Sequence, residues 1–490
     1  MKWSKKLTTD LMEISLIRRL VKLHYFQFLF VAPLLVISTI ATIAVIYGVE
    51  NPALNFGMVF FWMIWWGLLI LLFVLVGRGW CFMCPIGVFG DWIQRLSPWW
   101  KSKWSLGFNK KYPPKHRNLW LALVLFLIFI FLDYGYGISN SPSLTAALII
   151  AIVVGAIGVA IVFEKRTFCL YLCPVTLFIG VSSMFAPFEI RKKKAEVCRK
   201  CQTKDCFRGN ERFYGCPVLE FPGGDMDTNR DCILCTECIK ACPHDNIGMR
   251  FRRWGHDLWA RKKARLDESV GAVTISGVVT VVALFLVLFL PQVNIFTREF
   301  WPSAPPADWP RLVSVFLFYL GRTADWPRIV GIGALYLGAL AATLLFMYSF
   351  SYLSKLFSGA KDISTNAFFV HFGYAVLPLG VMKFLSDILD HVLRTWGMLA
   401  NAISALFLDF PLNRVDIEEP IVNQVLSANQ TYLLQLALIT FGLGFSLYVA
   451  YKLAGRMFSN SDIAFRAFLP IGAFIAILAM TALWTLSAAL

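Results

Sequence analysis

A chain of 490 residues that is 58% hydrophobic and only 16% charged is not an ordinary soluble protein, in which about 25% of residues are charged. Its net charge of +16 invites a nucleic-acid reading. Most Lys and Arg, however, fall in short segments between long apolar blocks, where the positive-inside rule already calls for them; no nucleic-acid partner is expected.

In chain order, residues 1–24 form a basic, amphipathic segment (Lys2, Lys5, Lys6, Arg18, Arg19, Lys22), too long for the n-region of a cleavable signal peptide. Membrane spans are predicted over about residues 25–47 and 57–77, and the turn between them holds Glu50 and no Lys or Arg. A basic return loop, 78–117, leads to a second hairpin with spans over about 119–136 and 144–163. Residues 164–267 carry the densest basic runs, 191–194 and 250–265. These mark the cytoplasmic face against anionic headgroups, with an acidic partner as the weaker alternative. Five more spans are predicted at about 270–290, 329–353, 365–385, 432–453 and 464–486. The basic loops near Lys361 and Arg456 fall inside, and the loop with Asp409, Asp416, Glu418 and Glu419 falls outside. The sum is about nine spans of roughly 20 residues, N-terminus in and C-terminus out, in a bacterial inner membrane. Between the fifth and sixth, Ala307-Asp308-Trp309-Pro310-Arg311 recurs as Ala324-Asp325-Trp326-Pro327-Arg328. Asp as cap with Pro in the first turn makes these two helix starts, the stretch 311–320 between them lying in the interface.

All twelve cysteines lie in four groups, a usage that favours metal ligation over disulfides or packing. Cys232-x2-Cys235-x2-Cys238-x3-Cys242-Pro243 is the run with which bacterial ferredoxins wrap a [4Fe–4S] cluster, three thiolates on one cluster and the fourth on its neighbour. By that crossover Cys232, Cys235 and Cys238 take Cys216 as fourth ligand, while Cys198, Cys201 and Cys206 take Cys242. The looser Cys198-x2-Cys201-x4-Cys206 spacing leaves the first cluster's type open, and a pair of zinc sites is the alternative for both. The two N-terminal hairpins end in matching phrases, Arg78-Gly79-Trp80-Cys81-x2-Cys84-Pro85 and Arg166-Thr167-Phe168-Cys169-x3-Cys173-Pro174. A pseudo-two-fold axis along the membrane normal brings these four thiols together. They are expected to share a third iron–sulfur cluster at the membrane edge; two dithiols that bind nothing are the alternative.

Titratable groups inside spans need a reason. His371 and Tyr374 share a helix face and are candidates for a quinol site, with Asp387, Asp390 and His391 as a proton exit. The plainer reading has Lys383 snorkelling, the outer acids interfacial and His371 bonded to a neighbouring helix. A haem on His371 is not favoured, since His391 lies twenty positions on, about 30 Å along a helix. His24, His116, His244 and His256 read as surface residues. No Walker motif or dinucleotide fingerprint occurs, which argues against ATP or NAD chemistry.

Over about residues 25–265 these motifs resemble membrane polyferredoxins of the NapH and NosR type, also met in CcoG-like copper-handling proteins. Three departures stand out. No flavin-binding domain precedes the first span, no soluble C-terminal domain follows, and about five extra spans trail the clusters. The resemblance implies electron transfer linked to the quinone pool, with quinol or quinone as substrate. It also implies a redox partner protein, extracytoplasmic or another membrane subunit. The expected fold is mainly α: a polytopic helix bundle with an inserted cytoplasmic two-cluster ferredoxin-like module. Residues 1–24 form the amphipathic N-terminus, 25–190 the two hairpins, 191–267 the double [4Fe–4S] module and 268–490 the C-terminal membrane domain. The expected function is that of an iron–sulfur electron-transfer protein, a quinol dehydrogenase-like subunit. A metal-reducing assembly factor for copper or iron, or a cluster-based redox sensor, are the alternatives.

Overall fold

The computed structural model describes residues 10–95, 106–224, 226–285, 288, 326–408 and 425–487. Among them, eight helices are long and apolar enough to cross a membrane: Phe26–Tyr47, Phe56–Val76, Pro142–Val162, Leu266–Phe285, Gly331–Ser358, Thr365–Leu393, Ala428–Met457 and Ser461–Leu486. A shorter apolar helix, Trp120–Tyr136, stands where the third span was expected. The mainly helical, polytopic fold is therefore present. A helix begins at Trp326, within the second half of the sequence echo. The first half of that echo, the interfacial stretch 311–320 and the loop with Asp409, Asp416, Glu418 and Glu419 lie outside the described residues.

The chain divides into two compact units: Met1–Ile40, Leu68–Phe126 and Ile149–Asp267 in the first, and Ala41–Gly67, Leu127–Leu148 and Glu268–Leu490 in the second. In the first unit a two-stranded antiparallel ladder, β1 (Phe188–Lys192) on β2 (Ile247–Phe251), pairs Ile190 with Met249. All eight cysteines of the ferredoxin-like stretch lie between these strands, so the ladder closes the loop that carries them. Ile190, Ile247 and Met249 bury in one core with Met12, Leu234 and Ile239. Buried charges brace it. Arg250 Nε donates to Glu189 at 2.7 Å, and the Asn229 amide donates to Asp257 at 2.6 Å. Asp257 also pairs with Arg252 and, at 3.7 Å, with Arg191. Burial opposes the Asp257 charge, but Arg252, His256 and Arg191 more than offset it and hold its pKa well below the usual carboxylate range. The N-terminal segment is strapped to this core. Asp10 accepts from the Met249 amide at 3.0 Å and pairs with Lys193 at 2.9 Å. The helix Ser15–Lys22 buries Val21 and pairs Lys22 with Asp245 at 3.0 Å, leaving Ile14, Leu16 and Leu20 exposed.

The second unit packs through small residues. A Cβ on Gly380 would lie 2.4 Å from Ser276 Oγ, and one on Gly373 would lie 2.8 Å from Ser269 Cβ. Helices that approach so closely are held by dispersion rather than by a hydrophobic driving force, which is weak inside lipid. The span from Thr365 is broken: α-helix to Phe372, a 3-10 turn over Gly373–Val376, then α-helix from Leu377. Pro378 lacks an amide hydrogen and cannot continue the ladder behind it. Neighbouring helices satisfy the groups this disturbs, as apolar surroundings demand. Ser269 Oγ donates to the Val370 carbonyl at 2.6 Å and Ser276 Oγ to that of Val376 at 3.1 Å. The Leu379 amide donates to Ser446 Oγ at 2.9 Å.

Candidate metal centres

All twelve thiols fall in the first unit, and they gather in three sets. Cys198, Cys201, Cys206 and Cys242 line one cavity together with Lys204, Phe221, Gly223 and His244. Asn246 fastens two of the sulfurs, its Nδ2 donating to Cys198 Sγ at 3.1 Å and its amide to Cys242 Sγ at 3.3 Å. Gly223 floors the cavity: a Cβ there would stand 3.3 Å from Cys206 Sγ and 3.5 Å from Cys198 Sγ. Burial first, and then the neighbouring Cys242, Cys198 and Cys201, push the Cys206 thiol up to about 11.

The second set, Cys216, Cys232, Cys235 and Cys238, is buried throughout. Its loop winds tightly because Leu234 and Thr236 both take left-handed backbone, at φ 56° and 65°, which is uncommon for non-glycine residues and marks a constrained site. Thr236 Oγ1 is buried with no hydrogen-bond partner among the described residues, a donor of the kind that sulfur ligands and sulfides satisfy. Burial pushes the Cys232 thiol up to about 12 and the Cys235 thiol up to about 11. Cys238 is opposed by Cys235, Cys216 and Cys232 of its own set and by Cys206 of the first, so the two sets adjoin.

Cys81, Cys84, Cys169 and Cys173 make the third. Burial raises the Cys169 thiol, and Cys173, Cys81 and Cys84 all oppose its ionisation; Cys173, pushed to about 12 by burial, meets Cys81 and Cys84 in the same way. The contacts between the two hairpin ends are reciprocal. Arg78 Nη2 donates to the Cys169 carbonyl at 2.7 Å, while Arg166 Nη1 donates to the Cys81 carbonyl. Each hairpin's arginine thus grips the other hairpin's first cysteine. The Cys-Pro phrases share a further device. Proline has no amide to offer, and the amide after it turns back to the sulfur: Ile86 to Cys84, Val175 to Cys173 and Val218 to Cys216.

Buried thiols with raised pKa values are neutral by themselves and lose their protons on binding iron. Converging amides and guanidiniums then suit the resulting anionic ligand shell. Among the described residues no three His, Cys, Asp or Glu side chains stand close enough to share a single metal ion. The cavity of the first set, with four thiols around one hollow, suits a multi-iron cluster better than one zinc ion. The chain's own arrangement therefore fits iron–sulfur clusters.

The other predicted site residues lie in the second unit. His371 Nε2 bonds the Leu453 carbonyl at 2.9 Å, and the buried Tyr374 donates to Glu268 Oε2 at 2.8 Å. They lie on either side of the break at Phe372 and are held by different partners. Lys383 is buried and pairs with Asp387 at 2.5 Å, one turn on. Sequence reasoning overlooked Glu268, and also Asp91 and Asp231, the carboxylates beside the two arginines. The arginines were visible as an Arg three residues before the first Cys of each phrase, but their crossing was not.

A 4Fe-4S binding domain family matches residues 58–106 and 145–194, the two segments that carry Cys81, Cys84, Cys169 and Cys173. The ferredoxin-type protein NapH of Escherichia coli K12 is 23% identical over 189 residues, covering 36% of this chain and 64% of its own length. The methylamine utilization ferredoxin-type protein MauN of Methylorubrum extorquens is 29% identical over 195 residues, covering 38% of this chain and 66% of its own length. The chain thus spans slightly under two thirds of each of these relatives, and no solved structure matches it. Thiol geometry, spans and relatives agree: the chain is a polytopic iron–sulfur protein that resembles the NapH-type membrane polyferredoxins.

Proposed function

We propose that this chain carries electrons between the quinone pool and a partner redox protein through three [4Fe–4S] clusters, one on each set of four cysteines. Cys198, Cys201, Cys206 and Cys242 hold the first. Cys216, Cys232, Cys235 and Cys238 hold the second, and Cys81, Cys84, Cys169 and Cys173 the third, at the inner face of the cytoplasmic membrane. The observation that carries this reading is the serial order of the sets within one compact unit. Cys206 of the first set adjoins Cys238 of the second. Cys235 of the second lies in the field of Arg166, which also acts on Cys169 of the third. A lipid-soluble quinol gives up two electrons, and one-electron acceptors in series receive them singly; the clusters supply the redox chemistry. The residues of this chain orient them, exclude water and set their charge environment. The third set lies beside the spans and suits the quinone end. The first set has part-exposed thiols, and exposed Arg199, Lys200 and Lys204 stand in its loop. It suits the partner end and an acidic partner.

The test is iron and sulfide analysis with EPR on the anaerobically purified full chain during titration with a quinol analogue. Twelve iron atoms per chain and rapid cluster reduction are expected. Iron-free protein would end the proposal, and loaded clusters that quinol leaves oxidised would end the quinone link.

A further inference from the structure

The two arginines that cross between the hairpin ends match in position but not in how closely each is paired. Arg166 spends itself on Asp91: its Nε donates to Asp91 Oδ2 at 3.0 Å and its Nη2 at 2.5 Å. Burial disfavours the Asp91 charge, but Arg166 and Arg95 more than offset it and keep its pKa low. Arg166 therefore meets the sulfurs with a carboxylate bound directly to it through two donors. Arg78 has no carboxylate held this closely. Its nearest carboxylate, Asp231, lies 3.5 Å from Nη1 and is already taken by Arg230, which reaches it through both Nε and Nη2. Arg78 fills its remaining donors with neutral oxygens: the Cys169 carbonyl and Thr176 Oγ1 at 2.7 Å each, and the Arg230 carbonyl at 3.2 Å. Its Nε, in a side chain 1% exposed, meets no acceptor of good geometry among the described residues. The Cys81 side chain also stands beside its guanidinium.

We propose that Arg78 is the counter-charge of the third sulfur site, a positioning residue that sets one weakly paired cation against Cys81 and Cys169 and raises the reduction potential of the cluster bound there. Arg166 fastens the hairpins and, bound closely to Asp91, moves that potential less. The physical step is simple. One-electron reduction adds one negative charge to the cluster, and a buried cation beside the ligand sulfurs favours the reduced state. Arg78 also touches the backbone that leads to Cys232, through the Arg230 carbonyl, so the same residue adjoins the second set. The inference rests on the reading that the third set holds a cluster.

The experiment is a redox titration followed by EPR on the anaerobically purified full chain. The third cluster's signal is identified as the one lost in Cys81→Ser/Cys173→Ser. Arg78→Gln is expected to raise that cluster's oxidised-to-reduced ratio about tenfold at fixed potential, about 59 mV for a one-electron couple. The other signals should stay in place. Arg78→Lys keeps the charge and should stay within about threefold of the wild type. Asp91→Asn unmasks Arg166 and should shift the ratio the opposite way, which keeps the test open if Arg78→Gln fails to load. An unchanged midpoint in loaded Arg78→Gln, or an Asp91→Asn shift in the same direction as Arg78→Gln, overturns the role of Arg78. Wild-type protein with only eight iron atoms and no signal sensitive to Cys81→Ser/Cys173→Ser overturns the third-cluster reading itself, and this inference with it.

Discussion

The two units of this chain solve opposite problems. The first holds every cysteine and a dense set of buried ion pairs, Arg166 with Asp91, Arg252 with Asp257 and Arg230 with Asp231. The second has no cysteine among its residues and few buried charges, and it coheres through glycine and serine contacts between apolar helices. The difference teaches what each surrounding demands. Anionic clusters need nearby donors and cations, and those in turn need their own carboxylates. Apolar spans need close approach and satisfied backbone groups.

The comparison breaks most visibly at the sulfur ligands. Cys81→Ser/Cys173→Ser should remove about a third of the iron and sulfide while leaving the stability of the second unit untouched, as read by proteolysis of the purified protein. Uniform loss of all iron would show that the sets are not separable. Next in size is Asp257→Asn, which should cost the first unit about 3–5 kcal/mol, because buried Arg252 and Arg191 are left to share Glu189, at 3.6 and 3.7 Å. The same group predicts a pH dependence. Its folded pKa is depressed, so its contribution is complete above the unfolded value of about 3.9 and fades as pH falls below that. Unfolding midpoints in detergent should therefore drop more steeply below about pH 4 in the wild type than in Asp257→Asn. In the second unit, Tyr374→Phe removes the hydroxyl that Glu268 accepts from and should cost about 1.5–3 kcal/mol with no change in iron content. A change in cluster potential instead would place Glu268 on the electron path. Gly380→Ala, which drives a methyl against Ser276, should cost about 1–3 kcal/mol by overpacking. The smallest effect belongs to the strap. Lys22→Ala should change the first unit by about 0–1 kcal/mol, since Lys22 and Asp245 are both partly solvated.

Much of this was legible beforehand because it is local. Apolar blocks of about twenty residues have one use in a chain this poor in charge, so the spans were readable, although the break at Gly373–Val376 was not. Nor does residue order say which neighbours satisfy the carbonyls that Pro378 disturbs. The candidate site divides in the same way. The Cys232–Cys242 spacing points to iron–sulfur ligation because three thiolates come from one tight loop. His371 and Tyr374 looked like a pair because they sit three residues apart, yet each turned to a partner on another helix.

Cysteine spacing and hydrophobic length are short-range quantities, and the amino-acid order alone settled that this protein spans a membrane and carries ligands for iron and sulfur. The crossing of Arg78 to Cys169 and of Arg166 to Cys81, and the bond from Tyr374 to Glu268, join residues 91, 85 and 106 positions apart. No local period encodes such a pairing, because the free energy of a buried charge depends on every group that folding brings beside it. Only the packed chain decides which cation is left to face the sulfur.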